Sequence, residues 1–262
     1  MSTSNQSTDS PEEPRTSGVY VYGIVPADME AEEDAVGVCD GPVTIVKHGG
    51  IAALVSEISV DRPLGKPEDL QAHAHLLDGT SRVAPVLPLR FGAVMTDEES
   101  VEKELLAAHA DEFAAALQEL EGRAQYVVKG RYVEQAILRE VIDESEQAAQ
   151  LLGAIRDQPE ESTRDARMAL GEIVSNAIVA KRDADTGKVL EALDSLSDSV
   201  NVREPTHEEE AAQVAVLVEV ARQEELEKAV GELAEQWDGR VDMSLLGPLA
   251  AYDFVVTQKS EG

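Results

Sequence analysis

The sequence predicts an α+β protein in two domains. The first holds a mixed or antiparallel sheet with helices. The second holds a helical part followed by a β-β-α-β element. Three observations carry this. Short β-branched runs bounded by Gly and Pro recur before residue 134. An acidic stretch of helical period follows, over about 134–197. Strand patterns then return on either side of one amphipathic helix.

In chain order, residues 1–18 are rich in Ser, Thr, Pro and Glu, too polar to order themselves, and are expected to form a tail. Val19–Val25 is apolar on both faces, as a central strand would be. Asp28–Asp40 is an acidic loop or short turn. Val43–Lys47 and Ile51–Glu57 flank His48-Gly49-Gly50 in the manner of a hairpin. Pro67, Glu68 and Asp69 open a helix that runs to about Val83.

Val86–Phe91 follows as a short apolar run. Pro85 and Pro88 bar a helix interior and each remove a ladder donor, which leaves an edge strand, a bulged strand or an extended segment packed as one. Alternation sets Arg90 on the face opposite Leu89 and Phe91. Gly92 turns the chain, and Thr96-Asp97-Glu98-Glu99 has the pattern of a capping box for a helix from Asp97 to about Leu120. Ala124–Val133 closes the first domain, 19–133, as a strand.

A helix spans Glu134 to about Arg156. Ser162 caps another, and a Thr186-Gly187 turn leads into a short helix over Lys188–Leu196. This helical segment is assigned to 134–197. The closing element, 198–257, comprises strands at Ser199–Arg203 and Ala212–Val220, a helix over Gln223–Trp237 and a strand at Val241–Leu246. Residues 258–262 form a second tail.

Charge narrows the function classes. Asp and Glu number 52 against 22 Lys and Arg, a formal net charge of −30. The acids are spread through every segment, a surface suited to very high salt, where self-repulsion is screened. No basic cluster is present, so nucleic acid is not an expected partner. Cys39 is the only cysteine, which excludes an internal disulfide. No apolar run reaches the length of a membrane span, and the first residues lack a signal-peptide core. The protein is therefore expected to be soluble and cytoplasmic, without a membrane partner.

The sequence offers little for catalysis. His73 and His75 lie two apart on a helix and point to different sides, so they cannot share a metal. Asp183–Lys188 fits neither a calcium loop nor a phosphate loop and is assigned to a polar helix–helix turn. Cys39 lacks a nearby cation or helix N-terminus to activate it. Glu208–Glu210 is a solvated acidic run. No catalytic, cofactor-binding or metal-binding residue is assigned.

Three stretches carry a family resemblance: Tyr20–Val25 (YVYGIV), Ala84–Gly92 (APVLPLRFG) and Gly247–Phe254 (GPLAAYDF). Together they resemble the gas vesicle protein L/F family, whose corresponding motifs read like YVYGIV, VLPLRFG and GPWPPYSF. The resemblance covers residues 19 to about 256. Leu249-Ala250-Ala251 depart from the family's Trp-Pro-Pro. The acidic composition suggests the haloarchaeal branch, and the length and tail an L-type member. The resemblance implies an N-terminal α/β domain and a C-terminal part with a ferredoxin-like element. It implies an accessory role in gas vesicle assembly, with binding to the hydrophobic shell subunit and other accessory proteins, presence at the gas vesicle, and no enzymatic activity. Leu87, Leu89, Arg90, Phe91, Gly92, Gly247, Pro248, Tyr252 and Phe254 are the candidate interface or scaffold residues. The competing expectation is a small-molecule-binding domain or enzyme on a ferredoxin-like scaffold, which rests on fold class alone.

Overall fold

The computed structural model describes residues 17–30, 35–59 and 61–255. The expected tails lie almost wholly outside these residues. Ser17 and Gly18 already belong to the first strand. The chain divides into two compact units, Met1–Glu121 and Gly122–Gly262.

The first unit is built on β1 (Ser17–Pro26), β2 (Thr44–His48), β3 (Ile51–Ser59), β4 (Leu87–Pro88) and β5 (Val94–Met95). The sheet order is β2-β3-β1-β4, with β5 also on β1, and every pairing is antiparallel. The β2–β3 hairpin turns at Gly49, whose φ of 57° suits glycine. As its pattern requires, β1 is interior and buried on both faces. The Val86–Phe91 run does sit at the sheet edge, but only Leu87–Pro88 form ladder pairs, opposite Gly23 and Ile24. The backbone then leaves the sheet at Arg90–Gly92 and returns as β5 opposite Val19 and Tyr20. The proline-marked segment is thus one edge strand interrupted by a turn.

Helix α1 spans Pro67–Thr80, three residues short of the expected end. The helix expected over 97–120 is broken. Asp97, not Thr96, is its N-cap and accepts from the Ser100 amide at 2.8 Å. After α2 (Glu98–Ser100), residues Val101–Leu106 form a π-helical segment in which the Ala107 amide donates to Glu102. Helix α3 (Ala110–Glu119) follows. The extra residue rotates the pattern, so that Val101, Leu106, Leu117 and Leu120 are buried and Ala108 is not.

The second unit begins at β6 (Arg123–Tyr132). This strand was expected in the first domain. Instead it pairs on both sides within the second sheet, with order β7-β8-β6-β9, all antiparallel. Its partners are β7 (Ser199–Val202), β8 (Glu210–Glu219) and β9 (Val241–Leu249). Local pattern gives a strand's existence but not its partners, and Ala124–Val128 is apolar enough to sit centrally in either sheet.

Helix α4 (Glu134–Glu144) and α5 (Glu146–Ile155) replace a single expected helix, because Ser145 is extended and its hydroxyl caps Ala148 at 3.2 Å. Helix α6 runs unbroken over Arg164–Leu193. The expected Thr186-Gly187 turn does not exist. An interior glycine costs about 1 kcal/mol, less than is gained by keeping Asp185, Val189 and Leu193 on one buried face. Nor does Ser162 cap this helix: its hydroxyl donates to Pro159 O. Helix α7 (Gln223–Gln236) completes the unit. The helices cover one face of the sheet, where Tyr126, Val128, Val214 and Val216 pack with Val189, Leu193, Leu226 and Trp237.

Candidate functional site

In the first unit, Tyr20, Tyr22, His73 and Phe91 form an aromatic cluster, with ring centroids 4.8–5.9 Å apart. The Gly92 amide donates to Tyr20 Oη at 3.1 Å, and Tyr20 Oη bonds His73 Nδ1 at 2.9 Å. The Leu89 amide donates to Tyr22 O. Tyr22 Oη donates to Ser56 and accepts from the Val38 amide. Burial holds the His73 pKa below its ordinary value, against a hydrogen bond to the Leu89 backbone that raises it. Burial pushes Tyr20 up to about 12. These are neutral groups that staple the middle motif to β1 and α1.

Gly23 is required there: a Cβ would stand 2.7 Å from Leu87 O. Leu87 is buried, Leu89 and Phe91 are half-buried, and Arg90 and Gly92 are exposed. Arg90 therefore faces water. His75 is exposed while His73 is buried. Cys39 lies 4.0 Å from Asp69, and burial pushes its thiol pKa up, the opposite of activation.

A cleft of about 560 Å³ opens in the same unit beside the end of α1. Its walls include Val36, Leu76 and Val83, and its rim Asp28, Glu30 and His75. Val36 and Val83 are 60% and 78% exposed. Neither stands in the sequence motifs, and single exposed valines carry no sequence signal.

The closing motif belongs to the second unit. Gly247-Pro248 is a cis peptide at the end of β9, and a Cβ on Gly247 would stand 2.5 Å from the Tyr126 ring. Ala250 and Ala251 are buried. Asp253 is the anchor of the segment. It exchanges two bonds with buried Gln125 on β6 and accepts from Asn201 and Arg203 at the β7 edge. The segment after β9 therefore returns across the face of the sheet that the helices leave open. Tyr252 is exposed and Phe254 half-buried. The two motif groups lie in different units.

A charge network on the helix side went unread in the sequence. Asp185, 1% exposed, accepts from Tyr132 Oη and from Arg240 at 2.8 Å each, and pairs with Lys188. Arg240 and Lys181 both reach Glu140. Desolvation opposes the charge on Glu140, but these two cations hold its pKa below the usual carboxylate value. The sequence assigns Asp185 to a polar helix–helix turn, whereas it is buried on α6. Only its i, i+4 spacing to Val189 and Leu193 could have shown the buried face. Among the described residues no group of three or more His, Cys, Asp or Glu is placed to hold a metal ion. No helix of the described residues is long and apolar enough to cross a membrane.

The family model described as Gas vesicle synthesis protein GvpL/GvpF matches residues 18–256. Gas vesicle protein F of Streptomyces sp. (strain CB03234) is 31% identical over 242 residues, 90% of this chain and 98% of that protein. Gas vesicle protein L of the same organism is 29% identical over 180 residues, 63% of this chain and 60% of that protein. The crystal structure of the gas vesicle protein GvpF from Anabaena sp. PCC7120 superposes with a TM-score of 0.74 at 22% identity, over 91% of this chain and 96% of that one. The α+β fold is shared with that structure.

Proposed function

The chain belongs to the GvpL/GvpF family of gas vesicle synthesis proteins, and on that premise we propose that it is a non-enzymatic accessory protein that holds the hydrophobic shell subunit and other accessory proteins during nucleation of the vesicle. It works in the cytoplasm and at the gas vesicle. The observation that carries the reading to a surface is the cleft of the first unit, with exposed Val36 and Val83 inside an acidic rim. A subunit with a large apolar surface aggregates unless it is held. The acidic exterior keeps such a complex dissolved, and high salt screens its self-repulsion.

The middle motif touches the cleft at Ala84 and has Leu87 buried at the sheet edge, and we read it as scaffold. We also read the second unit as ferredoxin-like. Its chain order is β6-helices-β7-β8-α7-β9 and its sheet order β7-β8-β6-β9, the split β-α-β arrangement of that fold. The element then starts at β6, not at residue 198.

Deleting the gene in its own host tests the role. Loss of vesicles, restored by the wild-type chain, is the expected result. Normal vesicles in a deletion strain that holds no second copy would sink the proposal.

A further inference from the structure

Strand β7 is the last strand of the second sheet, and among the described residues nothing pairs with its outer edge. At its end the Arg203 amide donates to Gln213 O. Bonded and non-bonded pairs alternate along an antiparallel ladder, so the N–H and C=O groups of Val200 and Val202 point away from β8. They offer an extended chain two donors and two acceptors. Their side chains stand opposite Val216 and Val214, on the face that the helices cover. Even so, Val200 is 42% and Val202 49% exposed, because no further strand lies beside them.

Helix α6 runs beside this edge. Gly187 and Leu190 on α6, with Val202 and Pro205, line a groove of about 340 Å³. Neither the helix nor its packing requires Gly187. An interior glycine weakens a helix relative to alanine, and a Cβ here would meet nothing within 4 Å. What the missing side chain leaves is room between α6 and β7. The charged groups that line the groove are Asp183, Glu204 and Glu210 against Arg182 and Arg203, one negative charge in excess. Arg203 is paired with Asp253, Arg182 is bonded to the Glu208 and Glu210 carbonyls, and the Glu210 carboxylate accepts from Thr206. Asp183 and Glu204 are exposed, so the groove disfavours an acidic occupant.

A free strand edge is a template for another strand. A second copy of this chain is a poor match. Antiparallel self-pairing that sets Val200 of one copy against Val202 of the other also sets Asp198 against Glu204, and each copy carries a formal charge of −30. We propose that the outer edge of β7 takes up an extended, non-acidic segment of another protein, apolar at alternate positions, as a fifth strand of this sheet. Its apolar side chains enter the groove against Gly187 and Leu190, and its backbone meets the open N–H and C=O groups of Val200 and Val202.

Nuclear magnetic resonance on the ¹⁵N-labelled full chain tests this with the peptide acetyl-Lys-Thr-Val-Thr-Val-Thr-amide. The same peptide methylated at every backbone nitrogen is the control: it has the same charge but no ladder donors. Saturable shifts at Val200 and Val202 are expected with the first peptide and not with the second. Val202→Pro removes an outward donor without touching the pairing to β8 and should weaken binding at least tenfold. Gly187→Leu fills the groove and should also weaken it at least tenfold, while the Tm stays level or rises; it stands in if Val202→Pro perturbs the fold. Equal shifts with the methylated peptide, binding retained in both variants, or no saturable shift would overturn the proposal. So would slow hydrogen exchange at Val200 and Val202 in the chain alone, which would mean that the edge is already covered, or shifts there that follow the concentration of the chain itself, which would assign the edge to a second copy.

Discussion

His73 sits in the first unit's core as a neutral ring, held between Tyr20 Oη and the Leu89 backbone. Its folded pKa lies below the unfolded value of about 6.5. In the window below that value the unfolded chain binds more protons than the folded one, so stability rises with pH there and falls as pH drops. Denaturant melts of wild type and His73→Gln between about pH 6.5 and 5 isolate this term from the many carboxylates. The wild type should lose stability more steeply. Parallel slopes would contradict a buried neutral His73. Arg90 gives the opposite expectation. Because it is exposed, Arg90→Ala should change stability by less than about 0.5 kcal/mol, whereas Leu87→Ala, three residues away in a buried position, should cost about 2–4 kcal/mol. Arg90 is exposed and Leu89 and Phe91 are half-buried, as alternation would have it, but they lie where the chain leaves the sheet and not on strand faces. Alternation could not place His73, whose partners come from β1 and the motif, far along the chain.

Elements were legible where one period dominated. The β1, β2–β3 and β8 patterns gave strands within a residue or two of those observed. Breaks and continuities were not, because they depend on tertiary burial. Ser145 ends a helix that propensity would continue, and Gly187 fails to end one that propensity would stop. The Asp185–Arg240 pair is what the continuous α6 makes possible. Asp185→Ala leaves Arg240 and Tyr132 without that partner and should cost about 3–5 kcal/mol by chemical denaturation. A loss under about 1 kcal/mol would show that the pair contributes only as a surface bridge does. The segment after β9 is illegible for a different reason. Asp253 bonds residues 128 and 50 positions away, and the Trp-Pro-Pro of the family pattern is absent at Leu249–Ala251.

At the scale of the whole molecule, the charge of −30 outweighs any single pair. Raising potassium chloride from roughly 0.1 M to about 3 M cuts the screening length from about 10 Å to under about 3 Å. A gain of a few kcal/mol is expected, seen as a Tm higher by about 10 °C at about 2–4 °C per kcal/mol. A flat Tm would remove the high-salt reading and leave the family assignment intact. The family itself was visible in three short motifs, while the surface proposed to act was not, since Val36 and Val83 lie outside all three. Co-purification of the tagged chain with the gas vesicle shell subunit in high salt tests the central claim most directly, run beside the double variant Val36→Asp, Val83→Asp. The account predicts that the wild type retains the shell subunit and that the variant, equally folded by circular dichroism, retains at least tenfold less. Absence of the shell subunit from the wild-type eluate would contradict the account, and equal retention by the variant would contradict the cleft as the surface that holds it.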